Sequence, residues 1–103
     1  MRTAAMIVAG ALALAQAAKA EDAQVLLRKY DCNLCHAQDE ARTGPAYVDI
    51  AAKYRGNPRA AAVLTGVVQK GTHGSGPWHM PPLPQVPEAD ARAMVDFILA
   101  ARR

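Results

Sequence analysis

Two thiols three positions apart, with an imidazole directly behind the second, are the residues of this chain best suited to chemistry: Cys32, Cys35 and His36 in "CNLCH". Three chemistries use such a spacing. A structural zinc site needs four ligands and draws them from a second close pair, such as C-x-x-C or H-x3-H. No such pair exists here, and His36, His73 and His79 could complete a zinc site only in an unusual arrangement. A thioredoxin-like dithiol sits on a βαβ scaffold, and a plain disulfide across so short a loop stabilises little. Attachment of a c-type haem accounts for every part of the motif. With two intervening residues, one turn of chain sets both sulfurs against the two vinyl groups of a porphyrin, as thioethers, and aims the adjacent imidazole at the iron.

An iron held by His36 leaves the opposite position for a second ligand. The place to seek it is "GTHGSGPWHMPPLPQVP", residues 71 to 87, whose three glycines and five prolines forbid helix over most of its length. A segment of that size without regular structure is expected only where it has a function. It offers two neighbours, His79 and Met80. Thioether sulfur favours ferrous iron and raises the potential, whereas a second imidazole lowers it. Pro81 and Pro82 lack N–H donors and hold the chain extended just after Met80. Met94 has the same chemistry but lies on an apolar helical stripe, where it reads as a core residue. His73 reads as a solvated turn residue, and Trp78 as a hydrophobic lid over a porphyrin edge.

The elements that must position these residues are helical. Ala23, Leu26, Leu27 and Tyr30 follow the i, i+3, i+4, i+7 spacing of a buried helix face, with Asp22 as N-cap, and this helix is expected to run straight into Cys32. Tyr47, Ile50, Ala51 and Tyr54 repeat the pattern before Gly56 stops it. Asn57 and Pro58 read as N-cap and N1 of a third helix with apolar positions at Val63, Leu64, Val67 and Val68, ended by Gly71. Pro87 opens a fourth, with Ala91, Met94, Val95 and Ile98 as its buried stripe. Arg102 and Arg103 complement its C-terminal dipole. No alternating strand pattern appears, so the fold class is all-α.

The first twenty residues read as an export signal: Arg2 as a positive n-region, an apolar run, and "AKA" at residues 18 to 20 as a small-x-small cleavage site. Cleavage is expected after Ala20, leaving residues 21 to 103 as one domain with no stable membrane insertion. Loss of Arg2 and Lys19 takes the basic count from 12 to 10 against 9 acidic residues, so the net charge falls from +3 to +1. Such balance does not favour nucleic-acid or anionic-membrane binding. Export agrees with haem attachment outside the cytoplasm, and a covalently held porphyrin supplies the apolar core that so short a chain lacks.

"CNLCH", "TGPAYVDIAAKY", "WHMPP" and "ARAMVDFILA", in that order and at these spacings, resemble the small bacterial class I cytochromes c of the c551 (c8) type. The resemblance covers the whole chain after the signal. It implies a cytochrome c fold of about four short helices around one covalent haem c, with thioethers at Cys32 and Cys35, His36 as proximal ligand and Met80 as distal ligand. It also implies that the Pro45 carbonyl accepts the Nδ1–H of His36, that Gly44 lets the backbone approach, and that the first and last helices cross, bringing Leu27 and Tyr30 against Met94, Phe97 and Ile98. Two positions depart from the family pattern: Trp78 lies only two residues before Met80, and Leu83 stands where an asparagine commonly follows "MPP".

The function implied is a monohaem electron shuttle of the periplasm, monomeric or weakly dimeric. Its partners would be redox proteins such as membrane cytochrome complexes, periplasmic reductases, oxidases or dehydrogenases. Arg28, Lys29, Lys53, Arg55 and Lys70 could form a docking rim or be ordinary solvated positions. A haem enzyme needs an open coordination position and a substrate chamber, for which the chain is short, and a sensor needs an output domain. The alternative is a permanent electron-accepting subunit of a periplasmic dehydrogenase.

Overall fold

Residues 22–74 and 79–103 are described by the computed structural model, and every regular element among them is helical. The first helix, α1, covers residues 22–29 and buries Ala23 and Leu27, while Val25 faces outward. It does not run straight into Cys32 as its periodicity suggests. Asp31 adopts φ 60° and ψ 26°, the left-handed region, which breaks the helix and starts a separate 3-10 turn, Cys32–Leu34. Asp is one of the few residues with a side chain that enters this region at modest cost.

Helix α2, Tyr47–Lys53, buries Tyr47, Val48 and Ala51 and leaves Ile50 half-buried. Gly56, at φ +81°, turns the chain after it. Helix α3, Ala60–Lys70, begins two residues later than Asn57 and Pro58 suggest. The Asn57 side chain is spent on a turn instead: its Oδ1 accepts the Arg59 N–H at 2.9 Å, and the Ala60 N–H reaches its carbonyl at 3.2 Å. The buried face of α3 also differs from the expected one. Ala60, Thr65 and Val68 are buried, whereas Val63 is 44% exposed. Thr65 tolerates burial because its hydroxyl donates to the Ala61 carbonyl at 2.7 Å.

Helix α4, Glu88–Leu99, has Pro87 as its N-cap, one position earlier than the N1 place expected, and Glu88 and Asp90 in the first turn. Acidic residues there suit the positive end of the helix dipole. It buries Ala91, Met94 and Val95 and packs against both α2 and α3. Leu27 of α1 joins the same core, and Tyr30, Phe97 and Ile98 pack at its edge. Tyr30 Oη donates to Asp90 Oδ2 at 2.7 Å, tying the end of α1 to the start of α4. Arg102 Nη1 donates to the Leu99 carbonyl at the end of α4 at 3.3 Å and to the Ala101 carbonyl just beyond it at 2.8 Å. Arg103 acts otherwise than as a dipole partner: it reaches across to Asp49 Oδ1 at 3.0 Å and so fastens the chain's last residue to α2.

The Tyr30–Asp90 bond makes a pH prediction. That hydrogen bond, helped by burial and the Asp90 charge, raises the Tyr30 phenol above its ordinary value of 10.0, so the folded chain holds this proton more tightly than the unfolded one. Its contribution is therefore complete below the unfolded value and is lost as pH rises through the raised one. The melting temperature of the wild-type protein should fall more steeply above about pH 10 than that of Tyr30→Phe. Parallel alkaline slopes would show that the bond contributes nothing.

Candidate functional site

The two thiols sit on the 3-10 turn that Asp31 begins. Its backbone is closed by the Leu34 N–H to Asp31 at 3.1 Å, and by the Cys35 and His36 amides, which share the Cys32 carbonyl at 3.2 and 3.0 Å. Both thiols are free and half-buried. Burial, chiefly, pushes the Cys32 thiol up, and its weak S–H donor faces the Met94 sulfur, 3.9 Å away. Met94 is 1% exposed and belongs to the core, as its place on the α4 stripe suggests.

His36 is fixed from three sides. Its Nδ1 lies 2.7 Å from the Pro45 carbonyl, and a carbonyl only accepts, so Nδ1 carries the proton and Nε2 keeps the lone pair a metal requires. Gly44 lies flat against the ring: a Cβ there would stand 2.5 Å from Cε1 and 2.9 Å from Nδ1. On another face Tyr47 stacks, its ring centre 5.5 Å away at an interplanar angle of 23°. The connecting backbone is held by the Gly44 N–H to Cys35 at 2.7 Å and the Tyr47 N–H to Ala37 at 2.9 Å.

Tyr47 and Asn33 are site residues that the motif does not reveal. Tyr47 Oη donates to Asn33 Oδ1 at 2.8 Å, and Arg42 Nη1 donates to the Asn33 carbonyl at 3.0 Å, so the residue after the first thiol is clamped at side chain and backbone. Burial, chiefly, holds the Tyr47 phenol far above its ordinary range, which keeps it a donor. The buried end of the α2 periodicity was visible in the sequence. The partner of its hydroxyl, fourteen positions away, was not.

Met80 comes from the segment that follows α3. It is half-buried and packs, with Cys32, against the shared core, whereas His79 is exposed. Gly71, at φ +73°, lets residues 80 to 82 lie against the end of α3, since a Cβ there would stand 2.6 Å from the Met80 oxygen. Leu83, in the place of the family's asparagine, is a packing residue whose N–H donates to Val68 at 3.1 Å. His73 Nε2 donates to the Lys70 carbonyl at 3.1 Å at the C-terminal end of α3. Trp78 lies outside the described residues.

Among the described residues there is no group of three or more His, Cys, Asp or Glu side chains that could hold a metal ion. No helix among them is long and apolar enough to cross a membrane. The donor set does suit a c-type haem: two free thiols on one tight turn, and an imidazole whose Nδ1 is already committed. Arg28, Lys29, Lys53, Arg55 and Lys70 are all exposed, with the Lys29 ammonium 5.2 Å above the Tyr30 ring and that of Lys53 5.6 Å above Tyr54.

No family model matches the chain. It is 46% identical over 78 residues to cytochrome c-551 of Allochromatium vinosum, spanning 73% of this chain and 81% of that one. It is 39% identical over 103 residues to cytochrome c-552 of Nitrosomonas europaea, spanning 99% and 100%. The crystal structure of wild-type Nitrosomonas europaea cytochrome c552 superposes with a TM-score of 0.73 at 40% identity, over 77% of this chain and 99% of that one.

Two glycines separate site packing from backbone strain. Gly44→Ala should cost about 1–3 kcal/mol by overpacking and shift the NMR signals of the His36 ring. Gly56→Ala, at a positive φ with open space around it, should cost about 1–2 kcal/mol by strain alone and leave those signals in place. Unmoved His36 signals in Gly44→Ala would refute the close approach.

Proposed function

The chain belongs to the bacterial class I cytochromes c of the c-551/c-552 group, and on that premise we propose a His36/Met80-ligated electron shuttle working in the periplasm. Members of the group are electron-transfer proteins rather than enzymes, their partners are redox proteins, and each carries one covalently bound haem c. Bound in this chain, that group supplies a reversible one-electron change at its iron.

The residues have distinct tasks in this reading. Cys32 and Cys35 would hold the group to the 3-10 turn, each S–H adding across a porphyrin vinyl group so that sulfur bonds one carbon and the hydrogen goes to the other. His36 offers Nε2 to the iron, and Pro45 fixes that tautomer and raises the basicity of the ring. Gly44 and Tyr47 keep the ring from turning. Met80 would offer the iron a soft sulfur, which favours a positive potential. The observation that carries the reading is the pairing of "CNLCH" with the 2.7 Å contact from His36 Nδ1 to the Pro45 carbonyl. Residues 1–20 act as the export signal and are removed, leaving one cytochrome domain over residues 21–103. The partners are membrane cytochrome complexes, reductases, oxidases or dehydrogenases met transiently.

Intact mass tests attachment and export together. The exported protein should weigh residues 21–103 plus one haem, retained through acid-acetone extraction, and extractable haem would contradict the thioethers. The axial pair is tested by substitution. Met80→Ala should abolish the red-edge charge-transfer band of the ferric protein and lower the midpoint potential by a few hundred millivolts, within the ~0.8 V that axial ligands command. His79→Ala should change neither. The reverse pattern would make the protein a bis-histidine cytochrome.

A further inference from the structure

The segment that carries Met80 has few ways to be held. Pro81 and Pro82 have no N–H, so from residue 80 to residue 83 only Met80 and Leu83 can donate from the main chain. Leu83 gives its N–H to the Val68 carbonyl at 3.1 Å. Met80 gives its own to the hydroxyl of Thr72 at 2.8 Å. In return the Thr72 N–H donates to the Met80 carbonyl at 3.0 Å. One residue thus takes both polar groups of the Met80 backbone, and Gly71, with no Cβ, lets the two stretches of chain lie that close.

We propose that Thr72 is the positioning residue for Met80, its hydroxyl and main chain forming a two-bond clasp that keeps the thioether at its ligating place. The inference rests on the reading of Met80 as an axial ligand. A carrier exchanges electrons readily when its ligand set is the same in both oxidation states, and neutral sulfur is the weaker partner when the iron is ferric. Holding the backbone of the ligand at both polar groups limits the swing by which the sulfur could leave. Without the Thr72 hydroxyl, the Met80 N–H loses the acceptor that it has at 2.8 Å. A half-buried donor left in that state favours movement of the chain outward to water. The hydroxyl is the element at issue, so serine should serve and valine, of nearly the same shape, should not.

The test uses the haem-loaded protein. Imidazole is titrated into ferric wild type, Thr72→Val and Thr72→Ser while the methionine-to-iron charge-transfer band is followed. Thr72→Val should lose the band at roughly tenfold lower imidazole, the worth of about one hydrogen bond, and Thr72→Ser should stay within about twofold of wild type. Equal midpoints for wild type and Thr72→Val overturn the clasp, and so does a Thr72→Ser protein as weak as Thr72→Val. A band absent from the wild-type protein overturns the ligand assignment itself, which distinguishes the two failures. Amide exchange on wild type reads the clasp without any variant. The Met80 N–H should be protected, and exchange at the rate of an exposed peptide would overturn the proposal even if Thr72→Val did not fold.

Discussion

One proton organises the thiol end of this site: the Nδ1–H of His36, given to the Pro45 carbonyl at 2.7 Å. A carbonyl has no proton to offer, so the bond allows a single tautomer and orients the ring in one way. Around a ring so committed the chain has little freedom. Residue 44 must be glycine, because its Cα lies where any side chain would meet the imidazole. The phenol of Tyr47 stacks on the same ring and, kept neutral by burial, extends the restraint to Asn33 between the two thiols. A histidine free to turn would gain nothing from these neighbours, and the neighbours would have no reason to sit so close.

The pieces that were legible in the sequence are those whose meaning is local. "CNLCH" carries its chemistry in the identity and spacing of five adjacent residues. The existence of four helices followed from apolar spacing, and Gly56 and Gly71 were visible as stops because a positive φ is a demand on one residue. Boundaries were less legible. Asn57-Pro58 has the same signature whether the asparagine caps a helix or closes a turn, and here it closes a turn. Asp31 ended α1 by entering a conformation that aspartate permits but does not require. The exposure of Val63 was hidden because its apolar character matched the stripe beside it.

What could not be read from the sequence depends on partners far along the chain. A threonine among glycines and a histidine has no pattern that announces a bond to the amide of residue 80, since the group it binds is main chain and leaves no trace in residue type. Tyr47 announced itself as a buried ring but not as a donor to Asn33. Arg103 looked like a helix-end charge until its guanidinium was seen on Asp49, a pairing across 54 positions. Such contacts are decided by how the elements close on one another.

The pairing of α1 with α4 bears on the order in which the molecule assembles. Tyr30 meets Asp90 across 60 residues and Cys32 meets Met94 across 62, so neither contact can form until most of the chain has been drawn together. Closing a loop of that length costs entropy that local contacts do not repay, and a helix as short as α1 does not persist alone in water. The turn that presents the thiols therefore borrows its rigidity from a helix at the far end of the chain. Loosening α4 would free the attachment loop as surely as a change within the loop itself, and opening of the two ends should register as a single cooperative event.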